Sequence, residues 1–248
     1  MRVLATYSIK GGVGKTATAV NLAYLAARAG LSTLVWDLDP QGSATWLFRI
    51  RAKVKGGGRA LVRGTRLADG AIKGTDFESL DVLPADFSYR HLDLDLDEAG
   101  KPRRRLARVL APVADDYDLV VLDCPPGISL VSESIFAAAD ALLVPLVPTT
   151  LSLRTLDQLR AFVTGNDDVG RLAVLPFFSM VDRRKRLHRD VIESLVGPRH
   201  GMLAAAVPTS SDVERMGVHR APVPVFAPRS RATAAFEALW SEVSMHRY

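Results

Sequence analysis

The sequence has one cysteine, few aromatic residues and no long uninterrupted apolar run. A single cysteine, Cys124, excludes an intrachain disulfide framework and a cysteine-rich metal site. The longest apolar run is interrupted by Asp140 and Pro145, so no segment predicts a membrane-spanning helix. A strand is predicted directly after Met1, and we therefore expect no signal peptide. Together these absences favour a cytosolic protein.

The composition is that of a folded globular chain. Hydrophobic residues make up 48% of the 248 residues and charged residues 24%, which excludes a disordered, fibrous or coiled-coil protein. A chain of this length predicts one domain spanning residues 1–248. The formal net charge of +5 fits an anionic partner without establishing one.

Apolar segments with strand character alternate with segments of helical periodicity. This alternation predicts an α/β fold, a mostly parallel sheet with helices on both faces. Residues 50–74 are predicted to form a mobile basic loop before a short helix, and residues 91–98 either an edge strand or a polar loop. The predicted strands cover residues 3–8, 33–37, 80–84, 119–123, 141–147, 171–180 and 202–207, and the predicted helices 15–29, 102–114, 129–139, 151–163, 187–196 and 231–245.

The most specific motif is a glycine-rich segment between the first predicted strand and the first predicted helix. Glycines let successive backbone N–H groups point at one anion, and the helix adds its positive end. Lys15 would contact the β- and γ-phosphates of a nucleotide, and the Thr16 hydroxyl would bind Mg²⁺. The predicted nucleotide-binding segment is Lys10, Gly11, Gly12, Val13, Gly14, Lys15, Thr16 and Ala17.

Two further predicted strands end in aspartates. Ligands of open α/β sheets lie at the carboxyl ends of the strands, so these acids should face the phosphate loop. Asp39 is placed to orient an attacking water, and Asp37 to help organise the Mg²⁺ shell. Asp123 follows a continuous apolar strand and would bind Mg²⁺ through water, as a Walker B carboxylate does.

These motifs together resemble those of the ParA/MinD family of P-loop ATPases. The loop has Ile9 where the usual Walker A pattern has glycine, and it begins with a second lysine, Lys10, as in the deviant Walker A motif of that family. Residues 37–45 resemble the ParA switch I segment, and residues 123–126 the ParA form of Walker B. The resemblance implies a P-loop NTPase-like fold, ATP and Mg²⁺ as cofactors, and catalytic roles for Lys10, Lys15 and Asp39.

The resemblance extends to the side of the site that holds the base. Met180 matches the strand end near the nucleotide base in the family, and Pro208 the loop that closes over it. Both are therefore predicted to bind nucleotide. The guanine-reading Asn/Thr-Lys-x-Asp pattern is absent from the sequence, which favours ATP over GTP.

Arginines accumulate in the last third of the chain, among them Arg199. Clustered arginines neutralise DNA phosphates, which gives binding that is salt-sensitive and independent of sequence. An ordinary solvated arginine-rich surface is the alternative. The candidate DNA-binding residues are Arg183, Arg184, Arg189, Arg215, Arg220, Arg229 and Arg231. The apolar stripe of the last helix, Phe236, Leu239, Trp240 and Val243, favours core packing over membrane attachment.

The resemblance implies an ATPase that forms a nucleotide sandwich homodimer, in which Lys10 reaches the phosphates held by the opposite subunit. Such a dimer would bind nucleoid DNA non-specifically in the cytoplasm and respond to a ParB-like partner or a cargo adaptor. Partner-stimulated hydrolysis would then segregate or position DNA or protein cargo. A MinD-like ATPase cycling on a membrane and a small-molecule P-loop kinase or ligase are the alternatives.

Overall fold

The fold is built on a mostly parallel sheet. The computed structural model describes residues 1–65, 67–165, 172–195 and 201–246. In this part of the chain the strand order is β3-β4-β2-β5-β1-β6-β7-β8, and every pairing is parallel except that of β3 with β4. This confirms the predicted fold class. The strands are β1 Arg2–Thr6, β2 Thr33–Asp37, β3 Lys73–Gly74, β4 Leu80–Leu83, β5 Leu119–Asp123, β6 Ala141–Leu146, β7 Ala173–Val181 and β8 Ala206–Pro208.

Helices follow most of the strands. Three short 3₁₀ segments, Phe87–His91, Pro102–Arg104 and Ala111–Val113, accompany them. The α-helices of the described residues are α1 Lys15–Arg28, α2 Ser43–Leu47, α3 Gly57–Arg63, α4 Leu92–Glu98, α5 Arg105–Leu110, α6 Leu130–Ala138, α7 Thr150–Thr164, α8 Arg186–Leu195, α9 Ser211–His219, α10 Val223–Phe226 and α11 Arg231–Met245. Among them, none is long and apolar enough to cross a membrane.

Two apolar layers, one on each face of the sheet, form the core. Successive side chains of a strand point to opposite faces, so Val3 and Ala5 pack in one layer and Leu4 in the other. Burial on both faces explains why these strands are continuously apolar. The stripe of α11 packs as predicted, with Phe236 and Leu239 buried in the second layer.

The prediction for residues 91–98 is wrong, because the segment forms helix α4 rather than an edge strand or a loop. Leu92 and Leu96, four residues apart, lie on one helical face and are buried, while Leu94 is exposed. The Asp93 carboxylate accepts a hydrogen bond from the Val131 backbone N–H. A strict alternation of leucine and aspartate therefore fits a short helix as well as a strand.

The prediction of a mobile loop over the glycine run is also wrong. Gly57 begins helix α3, and Leu61 of that helix is buried. A Cβ atom on Gly58 would lie 2.8 Å from the Tyr89 ring, and one on Gly57 would lie 2.5 Å from the Ser88 hydroxyl. These glycines therefore allow close packing and are not a sign of flexibility.

Other boundaries differ by smaller amounts. The predicted helix 102–114 is interrupted, because only Arg105–Leu110 is α-helical between two 3₁₀ segments. The predicted strand 202–207 is reduced to Ala206–Pro208, and α2, α9 and α10 were not predicted. The ends of two predictions, Arg171 and Val196, lie outside the described residues, as does Arg199.

Candidate nucleotide site

The phosphate loop connects the central strand β1 to helix α1. Gly12 and Gly14 have φ values of 70° and 94°, which only glycine adopts without strain. A Cβ atom on Gly14 would lie 2.9 Å from the Ser179 hydroxyl, so the end of β7 lies against this loop. The Lys15 ammonium donates a hydrogen bond to the Lys10 carbonyl (3.1 Å) and closes the loop on itself.

Lys15 is the buried cation of the site, with 7% of its surface exposed. Burial lowers its pKa, and the negative charge of Asp123 opposes that effect. A buried ammonium beside a glycine-rich turn favours an anionic ligand, because the ligand would restore the interactions that burial removes.

Two hydrogen bonds connect the phosphate loop to the loop after β5. The Gly127 backbone N–H donates to the Ile9 carbonyl (3.1 Å), and the Tyr7 hydroxyl donates to the Gly127 carbonyl (2.7 Å). Tyr7 is fully buried, and burial raises its pKa to about 12. Sequence analysis did not indicate this contact, since an aromatic residue in the predicted first strand, residues 3–8, is expected to pack in the core.

Asp123 lies fully buried at the carboxyl end of β5, and in the sheet it pairs in register with Asp37 at the end of β2. Neither of its carboxylate oxygens has a hydrogen-bond partner in the described part of the chain. Burial first, and then the negative charge of Asp37, raise the pKa of Asp123 well above its ordinary value. A carboxylate in this state is suited to a cation that a ligand brings.

Asp37 is equally buried, but its oxygens are occupied. One oxygen accepts hydrogen bonds from the Thr45 backbone N–H (2.8 Å) and the Thr45 hydroxyl (2.7 Å), and the other accepts one from the Asp39 N–H (3.3 Å). The Thr45 hydroxyl also accepts a hydrogen bond from the Ala85 N–H (2.9 Å). Burial raises the pKa of Asp37 to about 6, although the bonds from Thr45 lower it. Sequence analysis missed Thr45, which lies one turn into the helix after the acidic motif.

Asp39 lies above this buried pair and is partly exposed. One of its carboxylate oxygens accepts a hydrogen bond from the Gln41 N–H (2.9 Å) and thereby shapes the turn into α2. Its charge acts on both Lys15 and Asp123, so the structure brings these three predicted residues together. The accessible position of Asp39 is compatible with contact to water.

The residues predicted to bind nucleotide on the side of the base, Met180 and Pro208, lie next to each other at the ends of β7 and β8. Met180 has a φ of 55°, and its carbonyl accepts a hydrogen bond from the Thr209 hydroxyl (2.9 Å). Pro208, the last residue of β8, precedes that threonine. Because Ser179 contacts Gly14, this edge adjoins the phosphate loop.

An open cavity of about 820 Å³ extends from the start of α1 between α2 and α9. Its walls include Thr16 and Ala17 of the predicted nucleotide segment, together with Trp46, Val213 and Arg220. This volume lies within the range of small-molecule sites. Sequence analysis did not include α9 in the site, since its helical pattern carries no motif.

The predicted magnesium residues are all oxygen donors, which Mg²⁺ prefers. The unpartnered carboxylate of Asp123 fits such an ion, and Thr16 lies at the neighbouring end of α1. The described residues contain no group of three or more His, Cys, Asp or Glu that would hold a metal alone. A magnesium ion here would thus take its other ligands from phosphate oxygens and water.

The seven candidate DNA-binding arginines differ in their surroundings. Arg184 forms a bidentate ion pair with Asp182 (3.0 and 3.1 Å), and Arg189 donates to the Arg183 carbonyl (3.2 Å). Arg220 is half-buried, stacks 3.8 Å from the centre of the Trp46 ring and donates to the Trp46 carbonyl. The others lie exposed on the surface: Arg183, Arg215, Arg229 and Arg231. DNA contact remains a prediction for all seven.

Comparison with known proteins gives concordant matches. Residues 1–168 match a family model described as an AAA domain. The chain is 31% identical to the sporulation initiation inhibitor protein Soj of Bacillus subtilis, with 98% of each protein covered. It is 28% identical to the chromosome partitioning protein ParA of Myxococcus xanthus, over 98% of this chain and 87% of the relative. The structure of cobyrinic acid a,c-diamide synthase from Mycobacterium smegmatis, with a bound ATP analogue and magnesium, matches with a TM-score of 0.85 at 26% identity, over 99% of this chain and 95% of that one.

Proposed function

The chain belongs to the ParA/Soj family of P-loop ATPases, and we propose that it dimerises on Mg-ATP, binds DNA without sequence preference and drives the segregation or positioning of a cargo. The observation that carries the proposal is the unpartnered, buried Asp123 beside Lys15 and the phosphate loop. A triphosphate with its metal would place an anion against the Lys15 ammonium and a cation against the Asp123 carboxylate, which has no hydrogen-bond partner within the described residues.

Each residue of the site has a role that its position supports. Backbone N–H groups of residues 11–16 and the Lys15 ammonium hold the β- and γ-phosphates. The Thr16 hydroxyl would hold the metal directly and Asp123 would do so through water, and Asp37, in the position that Thr45 fixes, would help to hold it. Asp39 orients the attacking water. Bound Mg²⁺ would neutralise negative charge on the β- and γ-phosphates during transfer.

Dimerisation is proposed to depend on Lys10. This residue is half-buried at the front of the loop, and its ammonium forms no hydrogen bond or ion pair within the described residues. The Lys10 ammonium is thus available for the phosphates held by a second copy of the chain. The γ-phosphate then acts as the switch ligand, since it favours the dimer and its loss favours the separate subunits.

The remainder of the cycle concerns partners. The dimer binds nucleoid DNA through surface arginines, and a ParB-like protein or cargo adaptor stimulates hydrolysis and releases it. This places the protein in the cytoplasm on the nucleoid. The match to a relative named as a chromosome partitioning protein, over 98% of this chain, supports a partitioning role.

The test is binding of Mg-ATP and of a random-sequence DNA duplex by the wild type and by Lys15→Ala. Lys15→Ala should lose Mg-ATP binding and the ATP-dependent part of DNA binding, because the phosphates lose their buried counter-charge. Lys185→Ala is the control for nucleotide affinity, because this exposed lysine lies outside the loop. Unchanged ATP affinity in Lys15→Ala would contradict the assignment of the loop.

A second candidate is ATP-dependent synthesis on a small molecule. One observation favours it, namely the match to the Mycobacterium smegmatis structure named for a diamide synthase. Such an enzyme would hydrolyse ATP in proportion to an added small acid and an amine donor, without DNA or a protein partner. The partitioning proposal predicts no such dependence, so ATP turnover with each addition separates the two.

A further inference from the structure

The segment between α2 and β3 carries a concentration of positive charge that the nucleotide site does not use. In residues 49–74 only one residue is acidic, Asp69. Seven basic residues of this stretch lie within the described part of the chain: Arg49, Arg51, Lys53, Lys55, Arg59, Arg63 and Lys73. This excess lies far in sequence from the arginines of the last third of the chain.

Three of these cations are neutralised by carboxylates. Arg59 and Arg63 both pair with Glu98 (2.9 and 2.6 Å), and Arg49 pairs with Asp76 (3.2 Å). The remaining four cations are exposed, and none forms an ion pair within the described residues. These four are Arg51, Lys53, Lys55 and Lys73.

The same four cations line one groove, which we call the basic groove. Its volume is about 590 Å³, and the buried residues Val54 and Ala71 contribute to its wall. Among the described residues, no aromatic and no acidic side chain lines it. Asp86, the carboxylate near Lys53, is occupied by hydrogen bonds from the Val54 N–H (2.8 Å) and the Ser88 N–H (2.9 Å).

The backbone of the basic groove is fixed by packing. The glycines of α3 lie against Ser88 and Tyr89, and the other side is held by the pairing of Lys73 with Val82 in the sheet. The Ala71 N–H donates to the Ala68 carbonyl (2.8 Å) and closes the turn before β3. Charges on a preformed surface bind with a smaller loss of conformational entropy than charges on a mobile loop.

The basic groove continues into the cavity beside the phosphate loop. Ile50 and Arg51 line both, and the cavity is also lined by Arg49 and Arg220. Arg220 is one of the arginines predicted to bind DNA. Positive charge therefore runs from Lys73 and Lys55 through Arg51 to Arg220.

We propose that the basic groove binds the phosphate backbone of DNA and extends the DNA contact beyond the distal arginines. The inference rests on the proposed function, which makes DNA the partner. A protein partner would be expected to use aromatic anchors in a desolvated pocket, and the basic groove has none. Three of the four cations of its described wall are lysines, and contacts from such cations to phosphate oxygens carry no sequence information, so we expect a contact that is independent of sequence.

The test is the salt dependence of binding to a random-sequence DNA duplex in the presence of Mg-ATP. The variant is Lys53→Gln/Lys55→Gln/Lys73→Gln. Each phosphate contact contributes about 0.9 to the slope of log affinity against log salt, so the slope should fall in magnitude by roughly 2–3 and the affinity by at least about 10-fold near 0.1 M salt. Basal ATP hydrolysis should stay unchanged, because these lysines belong neither to the phosphate loop nor to the lining of the cavity beside it.

The matched control is Arg28→Gln/Arg59→Gln/Arg63→Gln, which removes the same charge from arginines that are paired with Glu237 and Glu98. Its slope should stay within about one unit of the wild type. A second measurement uses the unmodified protein: DNA should protect Lys53, Lys55 and Lys73 from acetylation but leave the exposed Lys101 reactive.

The outcomes separate the two proposals. If the salt slopes of both triple variants equal that of the wild type, and DNA does not protect the three lysines from acetylation, the basic groove is not a DNA site. The proposed function would still stand. Polyglutamate serves as a probe for an acidic protein partner. If the lysine variant loses polyglutamate binding while its DNA binding is unchanged, the groove binds an acidic protein and the inference is overturned. A wild type that does not bind DNA with Mg-ATP would overturn both.

Discussion

The ends of β2 and β5 form the most instructive contrast in the molecule. Asp37 and Asp123 are paired in register, and both are fully buried. Asp37 accepts three hydrogen bonds from its own chain, whereas neither oxygen of Asp123 accepts one within the described residues. The protein satisfies the Asp37 carboxylate by itself, whereas the proposed function assigns a cationic ligand to Asp123.

This difference also concerns stability. Burial disfavours the ionised form of a carboxylate without hydrogen bonds, and for Asp123 the positive charge of Lys15 offsets this effect in part. The β5 end therefore combines a functional requirement with a stability cost, and the β2 end does not. Substitutions at the two ends should consequently change activity and stability in different ways.

Asp123→Asn should have the largest effect. ATP hydrolysis should fall by roughly 100-fold or more, because the carboxylate that would help to hold the metal is lost. The free energy of unfolding without nucleotide should rise by about 1–3 kcal/mol, because burial and the charge of Asp37 disfavour the ionised form of Asp123. ATP turnover and thermal melting measure the two effects. Asp157→Asn on α7 is the control, and a destabilised Asp123→Asn would contradict the contrast between the strand ends.

Thr45→Val tests the β2 end. It removes the hydroxyl that donates to Asp37 and accepts from the Ala85 N–H, so it should lower the free energy of unfolding by about 1–3 kcal/mol. It should also weaken Mg²⁺ binding in the presence of ADP, since Asp37 loses its fixed position. Thr45→Ser keeps the hydroxyl and should behave as the wild type. Equal melting temperatures for the valine and serine variants would refute the role of Thr45.

The pH dependence of stability tests both ends at once. The pKa of Asp37 is raised to about 6 and that of Asp123 is also raised well above its ordinary value, so the native state binds more protons than the unfolded state above the ordinary aspartate pKa. Stability without ligand should therefore fall as pH rises from about 4 through 6, whereas Mg²⁺ affinity should rise. Thermal melts of the wild type and of Asp37→Asn/Asp123→Asn measure the difference. If the difference in melting temperature between the wild type and the double variant does not grow as the pH rises, the pKa values of the two aspartates are not raised.

Tyr7→Phe should have the smallest effect. It removes one neutral hydrogen bond to the Gly127 carbonyl and leaves the ring packing against Phe136 unchanged. The free energy of unfolding should fall by about 1 kcal/mol, as chemical denaturation would report. A loss as large as that of Thr45→Val would mean that the link to the β5 end is stronger than its geometry indicates.

The sequence allowed the prediction of the phosphate loop and of the acidic strand ends, because parallel strands bring their carboxyl ends to one edge of the sheet. It did not allow the prediction of the partners of those acids. Thr45 lies eight residues after Asp37, and its second contact, Ala85, comes from another strand end.

Leucine–aspartate alternation in α4 fitted two periodicities, and only packing against α3 and α6 decided between them. The cavity between α2 and α9 joins segments that are about 170 residues apart, which no local pattern reveals.

The central claim, that Mg-ATP drives dimerisation, is tested most directly by light scattering coupled to size-exclusion chromatography. The wild type should elute as a monomer without nucleotide and as a dimer of twice that mass with Mg-ATP. Asp39→Ala should remain dimeric for longer than the wild type after free ATP is removed, because hydrolysis is slowed. A wild type and Asp39→Ala that both stay monomeric at saturating Mg-ATP would contradict the account.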